Sequence, residues 1–268
     1  MRAAFMLGSF VAVVVAQGLL GCTCPCTEQK PAAAPSAPSV AGAGPASPAL
    51  ASKAEGSVVA IKTCPHGLVA PQSGLIDDAE DGDGRIALLE GRGGYWWSAH
   101  DDKGSTIEPT GNFKMFEGGA HGSKWAAHVA GKTAPHEDKA WGAVVGFSLV
   151  DNHGLYDASK YAGISFFAKV GEKSGSQVRL KVADVNTHPD GRVCKESCYN
   201  DFGKDFDFGH DWQEYQVTFA ELKQQEGWGD PRPPALTPNQ LVQIAWHLMT
   251  PGVEFDLYLD ELRFLDCQ

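Results

Sequence analysis

From Trp125 onward the chain alternates apolar and polar residues in short runs. Val178, Leu180 and Val182 share one face of such a run, and Arg179 and Lys181 share the other. Val242, Ile244, Trp246 and Leu248 alternate with Gln243, Ala245 and His247. Ala143, Val145, Phe147 and Leu149 alternate with Val144, Gly146 and Ser148. The same pattern holds for Tyr215, Val217 and Phe219, for Ile164, Phe166, Ala168 and Val170, and for Trp125, Ala127 and Val129. Period two marks a strand with one buried face, because successive side chains point to opposite sides. Breakers such as Gly171-Glu172-Lys173-Ser174-Gly175 separate the runs. Helical signal is confined to Phe219–Gln225, one turn or two. Many short strands over this length predict an all-β protein, a two-sheet antiparallel β-sandwich of jelly-roll type.

Two local details sharpen that picture. In Phe255-Asp256-Leu257-Tyr258-Leu259-Asp260-Glu261-Leu262-Arg263-Phe264 the apolar positions are odd through Leu259 and even from Leu262. A one-residue slip flips every later side chain, so a β-bulge is expected near Asp260–Glu261. Bulges re-aim side chains, which makes Asp260 a candidate ligand. In Tyr95-Trp96-Trp97 the alternation sends the two indoles to opposite faces, so one at most joins the core on that side.

The first sixty residues read differently. Ala3–Leu20 is apolar, too short for a spanning helix, and ends in Leu19-Leu20-Gly21-Cys22. That ending resembles a bacterial lipobox, so residues 1–21 are expected to be a lipoprotein signal peptide and Cys22 the lipidated first residue. Thr23 after the cysteine points to the outer membrane of a bacterial cell envelope. Residues 22–61 form a tether rich in Pro, Ala and Ser. Pro31, Pro35, Pro38, Pro45 and Pro48 break any helix there, and no aromatic residue offers a core. Residues 62–268 are left as one domain.

Net charge is −11, without any Lys/Arg run, which argues against nucleic acid as a partner. Seven cysteines suit an oxidising compartment. Cys194 and Cys198 are close in sequence and Cys64 and Cys267 bracket the domain, so disulfides Cys194–Cys198 and Cys64–Cys267 are expected. A metal site of Cys194, Cys198 and His188 is the rival for the first pair.

Three segments carry candidate chemistry. Asp77-Asp78-Ala79-Glu80-Asp81-Gly82-Asp83 offers closely spaced carboxylates of the kind calcium takes, although the EF-hand spacing fails; a solvated acidic turn is the alternative. Gly94-Tyr95-Trp96-Trp97, with Trp125, Trp141, Trp212, Trp228 and Trp246, offers rings on which the C–H faces of sugars stack. Asp184–Arg192, running on to Cys194, Cys198 and Tyr199, is a polar loop that is either a binding rim or ordinary solvated chain. No nucleophile, zinc-protease or phosphate-loop motif is present.

Taken together, Leu75–Asp83, Gly94–Trp97, Tyr156–Phe166, His210–Tyr215 and Phe255–Phe264 resemble non-catalytic carbohydrate-binding modules of the galactose-binding-like jelly-roll fold. Family eleven and the complex I intermediate-associated type are the nearest. The resemblance implies a glycan or polysaccharide ligand, a structural calcium near the chain ends held by Asp78 or Glu80 together with Asp260, and glycan contacts among Trp97, Arg179, Asp184, His188 and Trp246. No catalytic domain is expected to accompany this one. The expected protein is a membrane-anchored, non-catalytic glycan receptor. Its alternatives are an assembly lipoprotein that contacts envelope proteins, or a jelly-roll polysaccharide-degrading enzyme.

Overall fold

A computed structural model of the chain describes residues 59–135 and 139–268. The leader, Cys22 and the tether up to residue 58 lie outside the described residues. Within them, no helix is long and apolar enough to cross a membrane.

Two antiparallel sheets face each other. One runs β12 (Gln213–Thr218), β9 (Gly163–Val170), β14 (Glu254–Cys267), β7 (Trp125–Lys132) and β4 (Thr106–Glu108). Short β1 (Leu68–Val69) and β2 (Leu75–Asp77) add to β14, and β6 (Phe116–Glu117) adds to β7. The other sheet runs β11 (Phe202–Asp207), β10 (Gln177–Asp184), β13 (Leu241–Leu248), β8 (Ala143–Ser148), β3 (Trp96–His100) and β5 (Gly111–Asn112). This is the expected sandwich. The turn or two of helix read from Phe219–Gln225 is a single 3₁₀ turn, Phe219–Glu221.

The inward residues are the ones the alternation selects. Val178, Leu180 and Val182, and Ile244, Trp246 and Leu248, are all buried, as are Val145, Phe147 and Phe166. The centre is aromatic: Trp96 stacks on Trp246 at 6.2 Å and takes Phe147 edge-on at 4.9 Å. Trp96 Nε1 donates to the buried Asp77 carboxylate at 2.6 Å, which gives the indole's polar end a partner. Burial still pushes the Asp77 pKa up to about 7.

The register of β14 against β9 shifts between Asp260 and Arg263, where the parity break lies. Glu261 takes a left-handed conformation there, with φ of 49°. Both disulfides form: Cys194–Cys198, and Cys64–Cys267, which joins residues 203 apart in sequence. The rival metal site does not arise, because no cluster of three metal-ligating side chains exists among the described residues.

Candidate functional site

The outer face of the β11–β5 sheet carries the cleft. Cross-strand register aligns Trp97, Gly146, Ala245, Lys181 and Gly203 in one row across five strands. Trp97 and Lys181 are thus three strand spacings apart, about 14 Å. Between them the floor holds only Gly146 and Ala245, so the sheet surface dips into a trough. A side chain at position 146 is excluded by packing as well: its Cβ would sit 2.5 Å from the Ile244 carbonyl oxygen and 2.7 Å from the Ala245 Cβ. The neighbouring row is Ala99, Val144, His247, Arg179 and Asp205.

Three loops raise the walls and bring further rings. Trp141, Tyr199 and Trp228 are 42%, 52% and 43% exposed, and all three line the same cleft as Trp97. The enclosed volume is about 640 Å³. Each ring is held by its backbone. The buried Asp101 carboxylate accepts the N–H groups of Trp141 and Gly142 at 2.9 and 2.7 Å. Burial alone would raise the Asp101 pKa; the Gly142 and Lys103 N–H groups outweigh it and hold the carboxylate below its usual range. Buried Asn200 donates to the carbonyls of Gln225 and Trp228, fixing the Trp228 turn. The Cys194–Cys198 disulfide staples the loop that ends in Tyr199, whose N–H donates to Thr187 O at 2.9 Å.

The polar groups sit low in the cleft. Lys181 donates to Tyr199 O at 2.6 Å and pairs with Asp201 at 3.2 Å. His247 Nε2 lies 2.6 Å from Trp141 O. A carbonyl only accepts, so Nε2 carries the proton and Nδ1 is the acceptor. Burial, with help from the charge of Lys181, pushes the His247 pKa down to about 3. The imidazole is therefore neutral at ordinary pH. Gln243 completes the polar floor.

The glycan-contact residues expected from the sequence divide. Trp97 and His188 line the cleft. The other three do not, and each for a packing reason. Trp246 has no exposed surface: it shares the inward parity of Ile244 and Leu248 and belongs to the core. Asp184 is equally closed off, its carboxylate accepting the N–H groups of Asn186, Thr187 and Thr237. It shapes the loop, and burial raises its pKa. Arg179 turns its guanidinium away, onto both oxygens of Asp205 at 3.0 Å and onto Lys223 O. It lines a smaller hollow of about 310 Å³ that meets the cleft at His247. The sequence offers Trp141 and Trp228 among the candidate rings and Tyr199 in the candidate rim, without singling them out as glycan contacts. Their one sequence signal is position: each stands in a loop beside glycine or cystine, outside any alternation that would bury it.

The expected calcium residues lie on the other side of the sandwich. Glu80 Oε1 accepts from Ser123 Oγ at 2.8 Å and from the N–H groups of Lys124 and Trp125. The Ser123 bond leads in holding the Glu80 pKa below the usual range. Asp260, at the start of the bulge, is buried under the Gly119–Ser123 segment; it accepts the Ala120 N–H at 2.7 Å, and burial pushes its pKa up to about 6. Gly119 joins the two sides: a Cβ there would lie 2.2 Å from Ser123 Oγ, 2.4 Å from Trp125 O and 2.7 Å from Asp260 Oδ2. Hydroxyl, carbonyl and carboxylate oxygens thus converge on one point, with Glu80 next to Ser123. These are hard oxygen donors of the type calcium prefers. Asp78 accepts the Glu80 N–H, and among the described residues no third carboxylate joins Glu80 and Asp260.

No family model matches the chain, and no curated protein matches it. Several solved structures are similar in outline. One is a family 11 carbohydrate-binding module from Clostridium thermocellum in complex with a β-1,3-1,4-mixed-linked tetrasaccharide. It is 12% identical, with 64% of this chain and 89% of that one covered and a TM-score of 0.45. Another is a family 30 carbohydrate-binding module of a cellulosomal cellulase of Clostridium thermocellum, 12% identical, covering 64% and 91%, with a TM-score of 0.44. A third is an exo-β-agarase, 12% identical, covering 73% of this chain but 25% of that one, with a TM-score of 0.44.

Proposed function

We propose that this protein binds a polysaccharide or glycan, without catalysis, in the cleft on the β11–β5 sheet. The observation that carries the reading is the convergence of Trp97, Trp141, Tyr199 and Trp228 around a trough floored by Gly146 and Ala245. Exposed rings at a rim cost solvation unless something covers them. Sugar rings offer apolar C–H faces to such rings, and their hydroxyls suit the amide, imidazole and charged groups below. Among the described residues Asp201 is the one carboxylate lining the cleft, and it is ion-paired with Lys181. Glycoside hydrolysis by the usual route takes two carboxylates across the bond, so this lining supports binding over cleavage.

The reading extends to the cell. Cys22 is a lipid anchor and the tether holds the domain off a bacterial envelope membrane; the Leu-Leu-Gly-Cys ending supports this. Glu80 and Asp260 hold a structural calcium; the oxygens converging beside Gly119 support that. The test is a glycan-array screen of the purified protein with calcium and again with chelator, repeated with Trp97→Ala. Selective binding that disappears with Trp97→Ala is the expected result. An array without hits in either condition would sink the reading. Separately, Cys22→Ala is expected to move the protein from the membrane to the soluble fraction.

A further inference from the structure

Asp201 is 2% exposed, lines the cleft, and leaves its Oδ1 shielded from water with no hydrogen-bond partner among the described residues. A buried acceptor without a partner is rare and costly, so its presence in a cleft calls for a donor that the cleft receives. Its other oxygen lies 3.2 Å from Lys181 Nζ. An ammonium has three N–H donors. Two of those of Lys181 are directed at Asp201 and at the Tyr199 carbonyl, which leaves one for the cleft.

Resting on the glycan-binding reading above, we infer that the Lys181–Asp201 pair selects an uncharged sugar through two adjacent hydroxyls. One hydroxyl donates to Asp201 Oδ1, and its neighbour accepts from Lys181 Nζ. The carboxylate turns about χ2, a soft torsion, to present Oδ1. The pair is neutral as a unit. An amino sugar meets the Lys181 charge beside the acceptor it needs, and a uronate meets an unpartnered carboxylate oxygen beside the donor it needs. A vicinal diol satisfies both groups at once.

Asp201→Asn is the decisive variant. It keeps the shape, and Lys181 retains the amide oxygen, so the amide NH₂ takes the place of Oδ1. Acceptor becomes donor, and the Lys181 charge is left unbalanced. Wild type and variant are titrated with mixed-linkage β-glucan and galactomannan as neutral probes, polygalacturonate as the anionic probe and chitosan as the cationic one. Wild type is expected to bind a neutral probe and neither charged one. Asp201→Asn is expected to bind the neutral probe about ten- to a hundredfold more weakly, the loss of one hydrogen bond to a charged group, and to gain polygalacturonate. Should the variant fail to fold, O-methylated β-glucan on wild type gives the same reading: methylation removes the donor and is expected to cost a similar factor. Neutral affinity within about threefold in the variant, or tolerance of methylation, overturns the inference while glycan binding stands. Charged probes bound by wild type as tightly as neutral ones also overturn it. Failure of every probe brings down the glycan-binding reading with it.

Discussion

At the scale of single residues, two tryptophans separate binding from folding. Trp97 faces the cleft, so Trp97→Ala is expected to abolish glycan retention while moving the melting temperature little. Trp246 stacks on Trp96 and touches Phe147 and Phe166, so Trp246→Ala is expected to cost about 3–5 kcal/mol of stability, read by denaturant titration. Both indoles looked like platforms as residue types. Parity already marks Trp246, which alternates in step with Ile244 and Leu248; for Trp96 and Trp97 period two says that they face opposite ways, and the structure puts Trp96 in the core. His247 gives a prediction in pH. Its folded pKa of about 3 lies below the unfolded value of 6.5. The unfolded chain therefore binds the extra proton between those values. The stability His247 contributes is complete above pH 6.5 and is lost as pH falls toward 3. Expected outcomes are a glycan affinity that is flat from pH 5 to 8, and a variant, His247→Gln, whose stability falls less than wild type's on acidification over that window. Equal slopes for the two proteins would show that the imidazole is not held neutral.

At the scale of elements, the strands were legible and the walls of the cleft were not. Strand pattern is local: two residues suffice to repeat it, and even the bulge at Asp260–Glu261 left a parity break in the sequence. The bulge can be tested as a backbone feature. Glu261 sits at φ of 49°, so a β-branched residue is strained there. Glu261→Val is expected to cost about 1–2 kcal/mol, and Glu261→Gly to lie within about 0.5 kcal/mol of wild type, by equilibrium unfolding. The cleft, in contrast, is assembled from Trp141 before β8, Tyr199 after a disulfide and Trp228 in the turn held by Asn200. No period links those three positions. They meet because β3, β8, β13 and β10 are neighbours in the sheet though far apart in the chain, and sheet order is a tertiary fact. Asp184 shows the converse error: a carboxylate in a polar loop reads as a ligand, whereas here it is consumed by three backbone N–H groups that shape the loop.

At the scale of the whole molecule, the two ends of the described domain and the acidic segment meet on the sheet that does not carry the cleft. β1 pairs with the end of β14, Lys62 pairs with Asp266 at 2.7 Å, and Cys64–Cys267 closes nearly the entire domain. A link over so long a loop removes more freedom from the unfolded chain than a short one does, so replacing both cysteines by serine is expected to cost about 2–5 kcal/mol. The five-residue Cys194–Cys198 loop is a contrasting case: its removal is expected to loosen Tyr199 and weaken glycan binding, with a smaller loss of stability. The same division of labour frames the calcium proposal. An ion held by Glu80 and Asp260 binds the folded chain and not the unfolded one, so at a hundred times its Kd it adds about 2.7 kcal/mol. Its site lies across the sandwich from Trp97. Calcium is therefore expected to raise the melting temperature of the wild type and not of Asp260→Asn, and to leave glycan affinity measured well below the melting temperature unchanged. A calcium-dependent affinity at constant fold would place the ion in the cleft instead, and an unchanged melting temperature would remove Glu80 and Asp260 as ligands.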